Sequence, residues 1–293
     1  MILKSGSNGK EVKELQEFLE IQADGIFGKG TDAAVRKWQQ DEGLVVDGIV
    51  GPATWNSMGL ASTDISEQVF ETENGLIIKK HYLPKGEYKV GPTKKEYIFL
   101  HHTAGGNNPF STINRWGRDD RGAIATEFVL GGQSIKGNDD QYDGVMVQAF
   151  PEGSYGWHLG PNGSQHMHTH SVGIELNNFG YIVDGKTYVD TVADELQIVT
   201  LKEPFRGYKT WHRYSDKQIE NLRLWLLWIA ERDNIDIREG LPSLIKEKGA
   251  KAFDFNSDAY YGKIKGVWTH TNTRRDKFDM FPQDELLEML TNL

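Results

Sequence analysis

The apolar residues of the first 60 positions recur at the three-to-four-residue spacing of amphipathic helices. A first helix is predicted to start after Asn8 as its N-cap, with Glu11 three residues later completing a capping box. A second helix is predicted over residues 31–39, and a third starts at Pro52, since proline is favoured in the first turn. The apolar face of the first helix consists of Val12, Leu15, Phe18 and Leu19. The pattern predicts a small three-helix domain over residues 1–60.

A repeated sequence motif supports the prediction of this domain. The stretch DGIFGKGT begins at Asp24 and DGIVGPAT begins at Asp47, and each precedes a helical pattern. In both stretches Asp-Gly favours a tight turn. A second glycine, Gly28 or Gly51, then lets the chain enter the next helix.

Beyond residue 60 the pattern changes. Residues 61–75, ASTDISEQVFETENG, are polar and lack strong periodicity, which is typical of a linker. Short apolar runs then alternate with helical segments, which predicts an α/β domain over residues 76–293, with a mixed central sheet flanked by helices. Its first strand is apolar on both faces, as expected for a strand covered on each side. The predicted strands are 97–101, 126–131, 144–150, 172–177 and 266–270.

The second half of this domain carries one hairpin signal and two helix signals. Asp-Gly lies between two short β-type runs in YIVDGKTYV, residues 181–189, and predicts a hairpin. Ser215 with Gln218 forms a capping box that opens a long apolar helix through Ile229. A final amphipathic helix carries Leu286, Leu287 and Leu290.

Composition and charge argue against several function classes. The net charge of −9 and the pI of about 5.5 disfavour nucleic acid as a partner, because phosphate binding needs clustered lysines and arginines. Without cysteine the chain has no disulfide and no thiolate nucleophile. The most apolar run, LRLWLLWIA, is interrupted by Arg223 and is too short to span a bilayer. The N-terminus lacks the apolar core of a signal peptide, so we expect a soluble protein without an export signal of its own. No feature suggests an obligate assembly, so we also expect a monomer.

Two stretches combine histidine with residues that could share its chemistry. YIFLHHTAGG runs an apolar strand into His101 and His102, whose side chains must point to opposite faces of a sheet. WTHTNTRRDKFDMFP places Asp279 nine residues after His270, with Lys277 between them. A loop of this length can bring a histidine and a carboxylate onto one metal ion, although a solvated loop of mixed charge has the same pattern.

The stretch HSVGIELNN adds a carboxylate. In a strand, Glu175 shares a face with Ser171 and Gly173, so it is either a partly buried acid or base or a carboxylate at the sheet surface. The preceding stretch, QHMHTHS, holds three histidines at alternate positions: His166, His168 and His170. In a strand these would share a face and could form a metal tripod or contact substrate, but a polar loop beside the cleft is the favoured interpretation.

These features resemble two known families. Residues 1–60, with their DG-x-x-G turns and their LQ-x-x-L and W-Q-x-x-x-G-L elements, resemble the peptidoglycan-binding domain found beside many wall hydrolases. HHTAGG, WHLG, SVGIEL and a final H-x8-D with K-x-D, in this order, resemble the zinc-dependent N-acetylmuramoyl-L-alanine amidases. That type-2 superfamily includes phage endolysins and peptidoglycan-recognition proteins. The second resemblance covers residues 75–182 and 262–282.

The amidase resemblance implies roles for particular residues. The implied ligands of Zn²⁺ are His101, His270 and Asp279. Glu175 matches the catalytic base, and Lys277 matches a basic residue that steadies the oxyanion. His158, in WHLG, matches a position that contacts substrate near the metal. Thr126 stands where some relatives have tyrosine, which makes the neighbouring Glu127 a second candidate for the base and for substrate contact.

The same resemblance implies a reaction and a setting. The reaction is hydrolysis of the amide bond between N-acetylmuramic acid and the L-alanine of the stem peptide in bacterial peptidoglycan. The implied protein is a bacteriolytic phage or prophage endolysin, made in the host cytoplasm and acting on the cell wall after release. The alternatives are a non-catalytic peptidoglycan-recognition protein, a zinc peptidase acting within the stem peptide, and a structural wall protein of a phage tail.

Overall fold

The computed structural model describes residues 3–58, 69–91, 94–160 and 163–293. The chain divides into two compact units, Met1–Glu67 and Gln68–Leu293. The first unit contains the predicted helices α1 (Lys10–Phe18), α2 (Lys29–Asp41) and α3 (Pro52–Ser57). Its apolar core comprises Leu3, Val12, Leu15, Phe27, Val35, Val50, Trp55 and Met58.

A buried glutamine closes each of the two echoed turns in the first unit. The amide of Gln16 bonds to Asp24 Oδ1 at 2.8 Å, Ile26 O at 3.0 Å, Thr31 Oγ1 at 3.0 Å and Gly25 N at 2.7 Å. The amide of Gln39 bonds to Asp47 Oδ1 at 2.8 Å, Ile49 O at 3.0 Å, Thr54 Oγ1 at 3.2 Å and Gly48 N at 2.9 Å. The sequence echo is therefore a repeated hydrogen-bond network, in which one helix fixes the turn that leads into the next.

We expect Gln39→Ala to destabilise the first unit by roughly 2–4 kcal/mol, because it leaves several buried polar groups of the second turn without partners. Gln40→Ala is the matched control, since Gln40 is the next residue of α2 and is exposed. Urea unfolding of both variants, followed by circular dichroism, measures the difference. Equal unfolding free energies for the two variants would contradict a structural role for the Gln39 network.

The second unit contains eleven strands and seven helices in the described part of the chain. The strands are β1 (Val69–Glu71), β2 (Ile77–Lys80), β3 (Lys89–Val90), β4 (Tyr97–His102), β5 (Phe128–Leu130), β6 (Met146–Gln148), β7 (Ser154–Tyr155), β8 (Ser171–Leu176), β9 (Ile198–Phe205), β10 (Tyr208–His212) and β11 (Gly266–Thr269). The helices are α4 (Pro109–Trp116), α5 (Gln165–Thr169), α6 (Asp216–Asp233), α7 (Leu241–Lys248), α8 (Ser257–Tyr260), α9 (His270–Thr273) and α10 (Asp284–Thr291).

Seven of these strands form one mixed sheet in the order β1-β2-β6-β5-β8-β4-β11. The pairs β1–β2 and β5–β6 are antiparallel, and the other four pairs are parallel. All six residues of β4 are buried, as predicted for a strand covered on both faces. Residues of the sheet, α6, α7 and α10 share one apolar cluster. The predicted α/β class is thereby confirmed. None of the described helices is long and apolar enough to cross a membrane.

Of the two predicted capping boxes, one is confirmed and one is wrong. Ser215 caps α6, and both bonds of its box with Gln218 are present. In contrast, α1 begins after Gly9, with no side-chain cap among the described residues. Asn8 pairs instead with Ile26 in an isolated antiparallel bridge. The backbone is held by that bridge, so the side chain of Asn8 is not the helix cap.

Several predicted boundaries are also corrected. Within the predicted linker, residues 61–75, the segment Val69–Glu71 forms β1 and pairs with β2. Residues 61–68 lie outside the described part of the chain. The predicted strands 126–131 and 144–150 shorten to β5 and β6, since the flanking residues leave the regular ladder.

The hairpin predicted at 181–189 forms only around its turn. Val183 and Lys186 exchange two backbone hydrogen bonds of 2.9 Å. Asp184 and Gly185 between them both have positive φ, 50° and 73°, as a type I′ turn requires. Outside this turn the segment is held by isolated bridges rather than by a regular strand pair.

Candidate active site

Three neighbouring strands carry the candidate residues to one edge of the sheet. His101 in β4 lies opposite Glu175 in β8, and these strands are parallel. β11 is parallel to β4 on its other side and ends directly before His270. The carboxyl ends of parallel strands share one edge of a sheet, which is where open α/β sheets place their ligand sites.

The structure brings together the three residues predicted as metal ligands. One potential ligand atom from each of His101, His270 and Asp279 lies within 4.8 Å of the others. Asp279 Oδ2 is 3.2 Å from His101 Nδ1 and 3.0 Å from His270 Nδ1. His102 lies on the opposite face of β4, where its Nδ1 is 2.8 Å from Tyr214 Oη. It contributes to the packed interior, in line with its strand position.

Burial and local charge set the protonation of this cluster. Burial lowers the pKa of His101 to about 4, although its hydrogen bond to Asp279 opposes the shift. Burial alone would raise the pKa of Asp279, but the two histidines hold it well below its usual value. At neutral pH His101 is therefore neutral and Asp279 ionised. The Nε2 atom of His270 is buried without a hydrogen-bond partner among the described residues.

Both predicted catalytic residues lie beside the cluster. Burial, together with the charge of Asp279, raises the pKa of Glu175 well above its usual value, and the charge of Lys277 opposes this shift. Glu175 Oε2 is buried and has no partner in the described part of the chain. The charge of Lys277 also acts on His101, lowering its pKa. The site thus combines two imidazoles, two carboxyl groups and one ammonium group.

His158, the residue for which the resemblance implies substrate contact near the metal, lies directly beside His101. Its Nδ1 is 3.0 Å from His101 Nε2, and its Nε2 is 2.7 Å from Ser171 Oγ. The residue is 9% exposed, and burial lowers its pKa well below the usual value. Both ring nitrogens are engaged within the protein, so His158 is placed to orient His101, and its contact with substrate stays a prediction.

Glu127, the predicted substrate contact and second candidate for the base, lies in a buried ion pair, which favours Glu175 as the base. Its Oε1 accepts hydrogen bonds from Arg232 at 2.8 Å and from Gln148 at 3.0 Å. The Glu127 side chain is only 2% exposed. A carboxylate held in a buried ion pair is unavailable to a polymer and to water. Arg232 follows 105 residues later in the chain, so no local pattern could reveal this pairing.

The three alternate histidines belong to a helical segment, which corrects the strand and loop interpretations. Two of them lie within α5, and the third follows directly as its C-cap. Each contacts a different group: His166 with Glu96 Oε2 at 3.0 Å, His168 with Gly160 O at 3.1 Å and His170 with His166 O at 2.9 Å. They therefore do not converge on one point as a tripod would.

The sequence did not reveal a set of hydrogen bonds that supports the loop carrying Asp279. Arg206, in the turn between β9 and β10, donates to Thr271 O at 3.1 Å and to Arg275 O at 3.0 Å. The loop is closed by a bond from Thr271 N to Asp279 O of 3.1 Å. The Phe-Arg-Gly-Tyr turn was recognisable in the sequence, but its contact with a loop some seventy residues away was not. Part of the segment beyond residue 183 thus supports the site.

Residues 91–254 match the family described as N-acetylmuramoyl-L-alanine amidase, and residues 8–58 match a putative peptidoglycan-binding domain. The first match covers more than half of the chain. The chain belongs to the N-acetylmuramoyl-L-alanine amidase family. The family match includes His101 and Glu175, whereas His270 and Asp279 follow it in the sequence.

This amidase-family chain is also similar to individual proteins. It is 41% identical over 64 residues to the zinc D-Ala-D-Ala carboxypeptidase of Streptomyces albus G, covering 19% of this chain and 25% of that protein. It is 37% identical over 98 residues to the amidase CwlL of Bacillus licheniformis, covering 30% of this chain and 26% of that protein. The solved structure of PlyL aligns with a TM-score of 0.38 and 16% identity, over 69% of this chain and 85% of that chain. The chain spans about a quarter of the length of the two curated relatives.

Proposed function

We propose that this amidase-family protein hydrolyses the amide bond between N-acetylmuramic acid and the L-alanine of peptidoglycan stem peptides. The observation that carries the proposal is the cluster of His101, His270 and Asp279, with Glu175 opposite His101 on the next strand. The family match supports the choice of this bond, because the family is described as N-acetylmuramoyl-L-alanine amidase. The match to a peptidoglycan-binding domain supports the polymer.

We propose Zn²⁺ as the cofactor, because the residues present fit it. Catalytic zinc sites use three protein ligands, drawn from histidine and carboxylate when cysteine is absent, and keep one position for water or substrate. His101, His270 and Asp279 would hold the ion. Asp279 Oδ2 approaches the two Nδ1 atoms at 3.2 and 3.0 Å. Neighbouring ligands of a tetrahedral ion with bonds of about 2.0 Å lie about 3.3 Å apart. Bound zinc supplies Lewis acidity, polarising a carbonyl and lowering the pKa of water to about 7.

The protein's own residues would move the protons and stabilise the developing charge. Glu175 takes a proton from the attacking water and delivers it to the nitrogen of the departing L-alanine. Burial raises the pKa of Glu175, which favours a proton on its carboxyl group after the water has given it up. Lys277, whose charge acts on Glu175, stabilises the negative oxygen that forms on the attacked carbonyl. Burial of His101 and His158 keeps bulk water away from the rear of the cluster.

His158→Ala is expected to weaken zinc binding by about 10–100-fold, as loss of an outer hydrogen-bond partner does at other metal sites. With Nδ1 as a metal ligand, His101 would donate its Nε2–H to His158 Nδ1, 3.0 Å away, and His158 would donate in turn to Ser171 Oγ. Competition with a chromogenic chelator measures the affinity. His166→Ala is the control, since that side chain is 54% exposed. Wild-type affinity in His158→Ala would contradict the orienting role.

We propose a bacteriolytic, endolysin-like setting for this chemistry. Residues 1–60 would hold the protein on the wall, and the catalytic domain predicted at 76–293 would extend back to Val69. Tethering raises the effective concentration of a catalytic unit at an insoluble polymer without changing its chemistry. The protein would act as a monomer on the cell wall after synthesis in a host cytoplasm.

The proposed bond is tested by digesting purified peptidoglycan and identifying the released fragments by mass spectrometry. Free stem peptides that begin with L-alanine are expected. Fragments cut within the stem peptide would assign the site to a peptidase. Binding without cleavage, with zinc supplied, would instead indicate a recognition protein.

A further inference from the structure

The segment of residues 181–192, here called the Tyr188 hairpin, is tied to the loop that follows β4. Tyr188 Oη donates a hydrogen bond of 2.8 Å to Ala104 O. Ala104 comes three residues after His101, and three residues span at most about 11 Å. The Tyr188 ring is therefore anchored to the segment that follows the strand carrying His101.

The other end of the Tyr188 hairpin contacts the loop that carries the catalytic candidates. The ring of Tyr181 stacks on Tyr208, with ring centroids 3.8 Å apart and planes 12° from parallel. It also contacts Phe278, at 5.4 Å between centroids. Phe278 lies between Lys277 and Asp279 in the chain. The Tyr188 hairpin thus connects the two loops that flank the site.

The Tyr188 hairpin presents four large apolar or aromatic side chains to solvent, one of them the anchoring ring of Tyr188 itself. The exposed fractions are 49% for Val183, 56% for Tyr188, 52% for Val189 and 62% for Val192. Two of the three charges of the hairpin pair with each other, since Lys186 lies 2.8 Å from Asp190, and the third, Asp184, is exposed. Clustered exposed apolar side chains mark binding surfaces, and here one aromatic ring is fixed in orientation by its hydroxyl.

We propose that the Tyr188 hairpin is a subsite for the sugar ring of the muramoyl group, with the Tyr188 ring as its stacking surface. This inference rests on the proposed function. A pyranose ring carries a face of C–H bonds and an acetamido methyl group, which pack well on an aromatic ring and aliphatic side chains. A stem peptide instead carries several ionised groups, which a surface of three valines and one tyrosine recognises less well.

The geometry of the substrate agrees with this placement. The scissile amide is joined to the sugar ring through a lactyl group only, so the ring must lie next to the cluster that holds the amide. The Tyr188 hairpin is anchored to the loops on both sides of that cluster. It supplies binding that is the same in the ground state and the transition state, because it contacts no reacting atom.

The test is isothermal titration of the full chain with a stem-free tetrasaccharide of alternating N-acetylglucosamine and N-acetylmuramic acid. Tyr188→Ala should lose about five- to tenfold in affinity at one site, as expected for losing an aromatic stacking surface. Tyr188→Phe should bind nearly as wild type, since it keeps the ring. Tyr261→Ala is the matched control, because Tyr261 is 68% exposed and lies outside the hairpin. The N-terminal unit is identical in all four proteins and contributes equally to each titration.

Unchanged affinity and stoichiometry in Tyr188→Ala would overturn the proposal, whether or not the protein cleaves peptidoglycan. Weakened binding of a sugar-free stem peptide in place of the tetrasaccharide would overturn it as well, and would assign the hairpin to the peptide. In the cleavage assay, the expected result is a raised KM with unchanged kcat for Tyr188→Ala. A protein that binds the tetrasaccharide through Tyr188 but cleaves nothing would retain the subsite while refuting the amidase function.

Discussion

Glu175→Gln is expected to lower kcat for muramoyl amide cleavage by about 10²–10⁴-fold, the usual contribution of a general acid–base residue. The amide keeps the size of the side chain but cannot accept the proton of the attacking water. Zinc affinity should stay within about twofold of wild type, because Glu175 is not one of the three clustered ligand candidates. Steady-state kinetics on peptidoglycan fragments and a chelator competition together measure the two effects.

The variant Glu127→Gln tests whether Glu127 has a structural role while Glu175 has the catalytic one. It breaks the buried pair with Arg232, which should cost roughly 3–5 kcal/mol of unfolding free energy. The kcat of the molecules that fold should stay near the wild-type value, since Glu127 lies outside the cluster. A large loss of kcat in Glu127→Gln, with Glu175→Gln active, would reverse the assignment of the base.

Asp279→Ala is expected to weaken zinc binding by more than about 100-fold and to abolish cleavage at low zinc concentration. Changes to outer partners of metal ligands cost about 10–100-fold, so loss of a direct ligand must cost more. Asp279 also supplies the negative charge beside His101 and His270. Without the Asp279 carboxylate, the cluster has two imidazoles and no negatively charged ligand. The affinity is measured by competition with a chelator of known zinc affinity.

Asp276→Ala is the matched control for this variant. Asp276 lies in the same loop but is 60% exposed and pairs with Arg274. It should bind zinc and cleave peptidoglycan as the wild type does. Equal losses in the Asp276 and Asp279 variants would mean that the loop matters as a whole and that Asp279 is not a ligand.

Local sequence patterns predict a structural feature correctly where that feature depends on a single strand or helix. The run of apolar residues before His101 predicted a strand buried on both faces, and β4 is such a strand. The alternation of side chains along β8 placed Glu175 on the same face as Ser171. The family resemblance then grouped Glu175 with His270 and Asp279, about a hundred positions away. The capping box of Ser215 is also a local signal, and it formed as predicted.

The failures share one physical cause, which is that tertiary contacts leave no local signature. Nothing in the sequence around Glu127 indicates that its carboxylate pairs with Arg232, which lies on a distant helix. The hydrogen bonds from His158 to His101 and Ser171, which lie on two neighbouring strands, likewise have no local signature. Asn8 had the right residue type for an N-cap, but its backbone is held in a bridge to Ile26. Propensity is a weak prior that such contacts override.

Zinc titration of the metal-free protein tests most directly whether one ion, held by His101, His270 and Asp279, supports amide cleavage. The protein is stripped with a chelator, dialysed and titrated with zinc while bound metal and released L-alanine termini are followed together. Cleavage should rise in proportion to bound zinc and stop rising at one equivalent, and Asp279→Ala should show neither effect over the same range. Full cleavage by the metal-free protein, or an unchanged titration in Asp279→Ala, would contradict the proposed zinc site.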